Sequence, residues 1–145
     1  MLVSTRNSDA SRVDTADIDE SFPPERRLRA RREFTSALRR GIKHVSSSVV
    51  VYAHARQRNS SHQHRLGIVI SKRVGVAVRR NGIKRCVRES FRRETLPTTI
   101  PIDFVCIARR RKDNDLAKLT SDVRHCLHRL AHKIKHTGES SGFVE

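Results

Sequence analysis

The residues best suited to chemistry in this sequence are basic side chains concentrated between positions 65 and 93. This stretch holds ten lysines and arginines against a single acid, Glu89, which leaves a net charge of +9. An arginine guanidinium matches phosphate oxygens in bidentate geometry, and an asparagine amide can add a neutral contact. The composition of this stretch therefore predicts a surface that binds the backbone of a nucleic acid.

Many of these basic residues fall on one side of a helix that the sequence predicts from about Val78 to Glu94. Ile83, Val87 and Phe91 recur every four residues and form its apolar stripe. At about 100° per residue, one flank of this stripe carries the set that we call the basic ridge: Asn81, Lys84, Arg85, Arg88 and Arg92. A solvated helix face usually mixes both signs of charge. The near absence of acid favours a phosphate-binding ridge over an ordinary solvated face.

Other kinds of site have weaker support in the sequence. It contains no evident carboxylate pair, nucleophile with an adjacent base, or glycine-rich phosphate loop, so we predict no catalytic residue in the polypeptide. Histidines spaced four apart can bind a metal ion, but solvated histidines are more common, and we predict no metal site. The residues concerned lie opposite the apolar stripe of the last predicted helix: His125, His128, His132 and His136.

Length and charge limit the class of protein. A chain of 145 residues fits one domain, and 36% hydrophobic residues predict a small core. The net charge of +16 divides into −4 over residues 1–25, with two arginines against six acids, and +20 over residues 26–145, with 29 basic residues against nine acids. We predict a disordered acidic leader over 1–25, one domain over 26–136 and a loose tail over 137–145. The basic domain implies a polyanionic partner.

The sequence also argues against a membrane or secreted protein. Its longest apolar run, from Val49 to Ala53, is far shorter than the roughly 18 residues of a membrane helix. A secretory signal is not apparent at the N-terminus, so we expect the protein in the reducing cytoplasm.

The three cysteines, Cys86, Cys106 and Cys126, form no CxxC pair and are expected to be thiols.

The elements that must position the basic residues can be placed by periodicity. A first helix over RRLRARREFTSALRRG ends at Gly41, and a strand follows in SSSVVVYAHA. A polar loop over 56–64 leads to a second strand from Leu66, and then to the basic helix.

The second half of the domain contains one more strand and a last helix. IDFVCIA, residues 102–108, is nearly continuously apolar and predicts a central strand buried on both faces. A last amphipathic helix runs from Leu116 to about Ile134. This order predicts an α+β fold, a two-layer α/β sandwich with helices packed on a small central sheet.

The run RLGIVISKRVGVAVRRNGIKRCVRESFRR, from Arg65 to Arg93, resembles the signature of the bacterial ribonuclease P protein subunit. That signature is a strand followed by S-K-K/R-V-G and then A-V-x-R-N-R-I-K-R-x-x-R-E-x-F-R. RLRARREFTSALRRG, SSSVVVYA and IDFVCIARR resemble the family's first helix, first strand and central strand, so the similarity covers roughly residues 26–134. The resemblance implies a left-handed βαβ crossover, an exception to the usual handedness.

The resemblance also implies a function and a set of residues. Family members assist a catalytic RNA that removes the 5′ leader of precursor tRNA, with Mg²⁺ held by the RNA subunit and substrate and no cofactor in the polypeptide. By this resemblance, together with the ridge pattern, contacts to the catalytic RNA are expected from Lys72, Arg73, Arg79, Arg80, Asn81, Lys84, Arg85, Arg88 and Arg92. A cleft for the single-stranded leader, between the first helix and the sheet, is expected to include Phe34, Leu38, Tyr52 and Arg65.

Two residues depart from the family's pattern. Gly82 stands where the R-N-R motif has its second arginine, and Arg79 could replace the lost charge from a different direction. Leu38 stands where the cleft has its second aromatic residue, and Phe34 could belong to the core instead of the cleft.

The partners that we expect are the ribonuclease P RNA and precursor tRNA, with no membrane and no DNA. The alternatives are a basic ribosomal or other structural RNA-binding protein, and a protein-only nuclease that uses the histidine-rich helix.

Overall fold

The computed structural model describes residues 24–56, 64–112 and 115–141, and side chains as far as residue 137. Most of the predicted acidic leader and of the polar loop lies outside these residues. Three helices are present: α1 (Arg31–Arg40), α2 (Ala77–Arg93) and α3 (Leu116–Ser141). The strands are β1 (Ile42–Val45), β2 (Val49–Ala55), β3 (Arg65–Val69) and β4 (Ile102–Ala108). None of the described helices is both long and apolar enough to cross a membrane.

The four strands form one sheet in the order β1-β2-β4-β3. Strands β1 and β2 are antiparallel, as are β2 and β4, whereas β3 is parallel to β4 and is joined to it through α2. The prediction that residues 102–108 form the central strand is confirmed, and Ile102 to Cys106 are buried. The left hand expected for the β3-α2-β4 crossover remains a prediction.

Helices cover both faces of the sheet. Helices α2 and α3 pack on the face that carries Val49, Val51 and Phe104, where they form the larger core. On the opposite face, α1 and the segment before it form a smaller cluster around Leu28, Ala37 and Val105. The prediction of a small sheet with helices packed on it is confirmed, and the structure adds that α1 lies alone on its face among the described helices.

Strand β1 is absent from the predicted elements. Its four residues show no apolar alternation, and Val45 remains half exposed to solvent. The strand is held by backbone pairing with β2, in which Ile42 faces Ala53 and Val45 faces Val50. Because the stabilising partner is another strand and not a buried side chain, hydrophobic periodicity carries no signal for β1.

Helix α1 begins later than the prediction from Arg26. Residues 27–29 lead into the helix as an extended segment, with the Leu28 N–H donating to the Leu66 carbonyl at 3.0 Å. Glu33 Oε1 then accepts hydrogen bonds from the backbone N–H groups of Arg29 (3.1 Å) and Ala30 (3.2 Å). These N–H groups have no partner within the helix, so the carboxylate sets the helix start.

Helix α3 ends later than predicted. It continues to Ser141, so residues 137–141 of the predicted loose tail are helical. Each added residue of an existing helix gains one backbone hydrogen bond without burying a side chain. The apolar stripe that ends at Ile134 therefore underestimates the length of the helix.

A buried carboxylate joins the central strand to its neighbours. Asp103 lies in β4 and is 4% exposed. Its two oxygens accept bidentate hydrogen bonds from the Arg65 guanidinium of β3, both at 2.8 Å. Arg56, just after β2, lies 2.9 Å from the same carboxylate, and Arg65 also donates to Glu33 of α1 at 2.9 Å. The hydrogen bonds and charge of Asp103, followed by that of Glu33, raise the pKa of Arg65.

Asp103→Asn is expected to lower the free energy of unfolding by about 3 kcal/mol, because two arginines would lose the charge that compensates them. This value is at the low end for a broken buried pair, since 20% of the Arg65 side chain remains exposed to water. Urea unfolding measures the change. Glu89→Gln, which breaks an exposed pair on α2, is the control and should cost no more than about 1 kcal/mol. Equal effects of the two variants would contradict a structural role for Asp103.

Two glycines provide a matched pair of variants. A Cβ at Gly82 in α2 would meet no heavy atom within 4 Å, whereas a Cβ at Gly67 in β3 would lie 2.4 Å from Phe34 Cε1. Gly82→Ala is therefore expected to raise the free energy of unfolding by about 1 kcal/mol through helix propensity. Gly67→Ala should lower it by about 1–3 kcal/mol through overpacking. Stabilisation by both variants in urea unfolding would show that Phe34 does not pack on β3.

Candidate nucleic-acid interface

Helix α2 holds the basic ridge in a fixed orientation because its other side is buried. Ile83, Val87 and Phe91 face the core, and the Phe91 ring meets Phe104 of β4 edge-on, with ring centroids 5.9 Å apart. With that side fixed, Asn81 and Arg85 are exposed, and the other ridge residues are half-buried along their stems: Lys84, Arg88 and Arg92. The ridge is therefore one surface carried by a rigid element.

The turn between β3 and α2 brings further cations beside the first turn of the helix. Lys72 and Arg73 are exposed in a short 3₁₀ turn that ends at Gly75. Gly75 has φ of 156° and ψ of −172°, a backbone conformation that is open almost only to glycine. Arg80 Nε donates to the Gly75 carbonyl at 3.1 Å and so ties the turn to the helix. This geometry places Lys72 and Arg73 at one end of the ridge.

Arg79 points away from the ridge. Its Nη2 donates to the backbone carbonyl of Arg111, after β4, at 2.9 Å. The replacement of the charge missing at Gly82 by Arg79, from a different direction, remains a prediction. The Arg79 side chain lines a cavity between α2 and α3.

The charges of the ridge are compensated unevenly. Glu89 lies 2.5 Å from Arg92 and 3.4 Å from Arg93, and the hydrogen bond from Arg92 is the main reason that the pKa of Glu89 is lowered. Within the described part of the chain, Lys84 and Arg85 make no ion pair. Arg85 is exposed and Lys84 is half-buried, and the charge of Arg85 helps to lower the pKa of Glu89. Both cations remain in contact with solvent, which favours binding of an external anion.

The opposite sheet face carries the residues predicted for a cleft. Strand pairing aligns Lys43, Tyr52, Val105 and Gly67 in one row across the four strands. Phe34 of α1 rests on Gly67, where the missing side chain makes room for its ring. Phe34 and Tyr52 are both half-buried and pack against the small cluster around Val105. Phe34 therefore belongs partly to the core and partly to the surface.

Apolar side chains extend this surface beyond the aromatic pair. The next row across the sheet includes Val45 and Val69, both exposed, and Leu38 of α1 is exposed as well. We call the surface formed by Phe34, Leu38, Tyr52, Val45 and Val69 the cleft face. Apolar groups that remain in contact with water on one face indicate a binding surface.

Arg65 lies at one end of the cleft face, where its charge is already compensated. Its guanidinium bonds to Asp103 and Glu33, and 20% of its side chain is exposed. Partial burial alone would raise the pKa of Glu33, but hydrogen bonds from the Arg29 and Ala30 N–H groups and the charge of Arg65 lower it overall. Arg65 therefore acts mainly as a structural link between α1 and the sheet. We call the ion-pair cluster of Arg65, Asp103, Arg56 and Glu33 the clamp.

The histidines of α3 are dispersed among different neighbours. His128 contacts Glu94, His125 lies beside His44 of β1 with ring centroids 5.4 Å apart, and His132 meets His136. Among the described residues, no group of three or more His, Cys, Asp or Glu side chains is arranged to hold a metal ion.

The cysteines are all free thiols, as predicted. Cys106 and Cys126 are buried, and burial raises the pKa of Cys126 to about 11. A thiol with a raised pKa is a poor nucleophile at neutral pH, so these two cysteines act as packing groups.

Two parts of the interface were not predicted from the sequence. Asp103, Arg56 and Glu33 of the clamp were not predicted. The sequence does contain a signal for them, because Asp103 is an acid inside the apolar run IDFVCIA. A buried carboxylate requires a cationic partner, so this acid predicts an ion pair. Val45 and Val69 of the cleft face were missed because their position depends on strand register.

Comparison with known proteins agrees with this geometry. The model of the family described as Ribonuclease P matches residues 22–131. The ribonuclease P protein component of Desulfatibacillum aliphaticivorans is 36% identical over 121 residues, which cover 80% of this chain and 97% of the relative. That of Thermotoga maritima is 35% identical over 100 residues, which cover 69% of this chain and 83% of the relative.

Solved structures lead to the same family. The RNase P protein of Staphylococcus aureus has a TM-score of 0.56 at 26% identity, covering 76% of this chain and 95% of that protein. The RNase P protein from Thermotoga maritima has a TM-score of 0.53 at 34% identity, covering 68% of this chain and 96% of that protein. These relatives do not favour the alternative of a ribosomal protein. The chain belongs to the ribonuclease P protein family and is the protein subunit of this endoribonuclease of tRNA processing.

Proposed function

We propose that the basic ridge binds the RNA subunit and that the cleft face binds the 5′ leader of precursor tRNA. The observation that carries this proposal is the separation of two chemically different surfaces by one sheet. The ridge is cationic and lies with α2 on one face, whereas the cleft face is aromatic and aliphatic and lies beside α1 on the other. One protein can therefore contact two RNA strands at once.

The ridge fits the backbone of a folded RNA. Lys84 and Arg85 make no ion pair among the described residues, and the exposed Lys72 and Arg73 continue the positive charge at the end of the helix. Contacts of this kind release counterions from phosphates and position an RNA without reading its bases. Asn81, which is exposed beside them, adds a neutral donor.

The cleft face fits single-stranded RNA. Bases stack on aromatic rings in many single-strand binding sites, each worth about 1–3 kcal/mol. Tyr52 and Phe34 supply the rings here, and Leu38 supplies an aliphatic contact where the family has an aromatic residue. Lys43, at the outer end of the Tyr52 row, is exposed and can contact the phosphates of a bound strand.

In this proposal the polypeptide binds and orients, while Mg²⁺ held by the RNA subunit and substrate supplies the catalysis. The side chains of both surfaces are cations, an amide, aromatic rings and aliphatic groups, which suit contacts to the phosphates and bases of RNA. We propose the cytoplasm as the location, with the ribonuclease P RNA and precursor tRNA as partners and no role for DNA.

The first test is reconstitution with the cognate ribonuclease P RNA at low Mg²⁺. Added protein is expected to raise the rate of precursor tRNA cleavage, and affinity for the RNA should fall linearly with log salt. Arg85→Ala should weaken binding several-fold and reduce the salt slope by about 0.7–0.9, the value for one lost phosphate contact.

Arg129→Ala is the matched control for this test, because Arg129 is an exposed arginine on α3 and not on α2. It should change affinity and slope less than Arg85→Ala does. Equal losses would place the RNA elsewhere on the protein, and the absence of any stimulation by the wild-type protein would contradict the proposed function.

The second test addresses the cleft face. Tyr52→Ala should weaken binding of precursor tRNA to the reconstituted enzyme by at least about fivefold, the lower limit for one lost stacking contact. Tyr52→Phe keeps the ring and should retain most of the affinity. Mature tRNA, which lacks the leader, should bind the Ala variant and the wild type equally. A similar loss for mature tRNA would rule out a leader-binding role for Tyr52.

A further inference from the structure

A cavity of about 400 Å³ opens where the start of α2, the start of α3 and the end of β4 meet. Neither the basic ridge nor the cleft face uses it. Its walls are mainly apolar, and its volume falls within the range of small-molecule sites, which are largely apolar with a few fixed polar groups. The apolar lining residues are Val76, Val78, Ile83, Ala108, Leu116 and Leu119.

Large apolar side chains at the mouth of this cavity remain in water. Val78 is 81% exposed, Val76 is 73% exposed and Leu116 is 47% exposed. Isolated exposed valines are common on protein surfaces, but three large apolar residues around one opening form a patch. The patch indicates that a ligand covers the opening.

Gly82 keeps the α2 side of the opening clear. It lines the cavity, and a Cβ at this position would meet no heavy atom within 4 Å. Gly82 is also the position where this sequence departs from the arginine of the family pattern. A long side chain here would extend over the opening, so the glycine leaves the cavity accessible in this chain.

The rim of the cavity is positively charged. Three arginines and one acid, Asp115, are among its lining residues. Arg79 Nη2 donates to the Arg111 carbonyl at 2.9 Å, Arg111 Nη1 bonds to Ser48 Oγ, and Arg109 Nη1 donates to the Ser46 carbonyl at 2.8 Å. These bonds hold the guanidinium groups in place. The cavity therefore combines an apolar interior with an ordered cationic rim.

We propose that this cavity binds one unstacked nucleotide of an RNA, with the base in the apolar interior and the phosphate at the arginine rim. A nucleotide matches both parts, because it has a flat, weakly polar base and an anionic group one sugar away. Val78 at the mouth of the cavity lies two turns before Arg85 of the basic ridge on the same side of α2, so a strand bound along the ridge can deliver a nucleotide to the opening. The inference rests on the proposed RNA-binding function, and it adds a site for a base beside a surface that binds phosphates.

The test uses adenosine monophosphate and the full-length protein, without any RNA subunit. In methyl-detected NMR, the compound should shift the signals of Val76, Val78 and Leu116 in a saturable manner. Ribose 5-phosphate, which lacks the base, should bind at least about tenfold more weakly, because burial of a base contributes more than 1.4 kcal/mol of apolar transfer energy.

Matched variants separate this cavity from general charge effects. Val78→Asp should weaken adenosine monophosphate binding at least tenfold, whereas Ile42→Asp, at an apolar residue 38% exposed on β1 and outside the ridge and the cleft face, should leave it unchanged. Gly82→Leu should block the opening, and Gly82→Ala should not, because its methyl group is too short to cross it. Both Gly82 variants improve helix propensity, so loss of folding would not explain a difference between them.

Equal binding of ribose 5-phosphate and adenosine monophosphate would overturn the proposal, since the rim alone would then account for the signal. Shifts with decanoate but not with adenosine monophosphate would overturn it in favour of an amphiphile. Because the assay contains no RNA subunit, its failure leaves the reconstitution tests of the ridge and cleft face unaffected. Binding of adenosine monophosphate by a protein that fails to stimulate cleavage would contradict the proposed function alone.

Discussion

The ion pairs of the Asp103 carboxylate are the interaction on which the arrangement of the basic ridge and the cleft face depends. A buried charge must be compensated, and Asp103 meets this requirement with Arg65 of the neighbouring strand and Arg56 after β2. Arg65 then bonds to Glu33, which also holds the N-terminal end of α1. One chain of ion pairs thus connects the central strand, an edge strand and the helix beside the cleft face. Without it, α1 would be held against the sheet by a small apolar cluster and by the backbone hydrogen bond from Leu28 to Leu66.

This clamp also explains how a domain with a net charge near +20 remains folded while keeping cations available. Its few acids are placed where they stabilise the structure: Asp103 and Glu33 at the clamp, Glu89 beside Arg92, and Glu94 beside Arg124. Lys84 and Arg85 of the ridge make no ion pair among the described residues. Uneven compensation therefore separates the arginines that hold the fold together from cations that remain in contact with solvent.

The sheet gives the protein two independent surfaces. Because successive side chains of a strand point to opposite faces, Phe104 enters the core beneath α2 while Val105 supports Phe34 and Tyr52 on the other side. The cavity beside Gly82 lies at the end of this sheet, where helices α2 and α3 begin. A substitution on one face can therefore alter that surface and leave the other surface intact.

The sequence by itself determined the family, the elements of regular periodicity and the basic face of α2. Apolar spacing is a local property, and it identified α2, the body of α3, β2, β3 and the central position of β4. It could not identify β1, whose stabilising partner is Val49–Ala55 of β2, nor the true start of α1, which depends on pairing with Leu66 and on Glu33. For the site, residue type and spacing indicated the ridge, and the family resemblance indicated the aromatic pair.

Only the tertiary structure decided which charges are free to bind RNA and which residues adjoin them. Arg65 resembles other arginines in the sequence, yet its guanidinium is hydrogen-bonded to the Asp103 carboxylate, 38 residues away. Arg79 donates to the Arg111 carbonyl and points away from the ridge. The cavity was likewise not predicted, nor were Val45 and Val69 of the cleft face, because their positions depend on segments far apart in the chain. The physical reason is that charge compensation and exposure depend on distances in space, which periodicity along the chain does not encode.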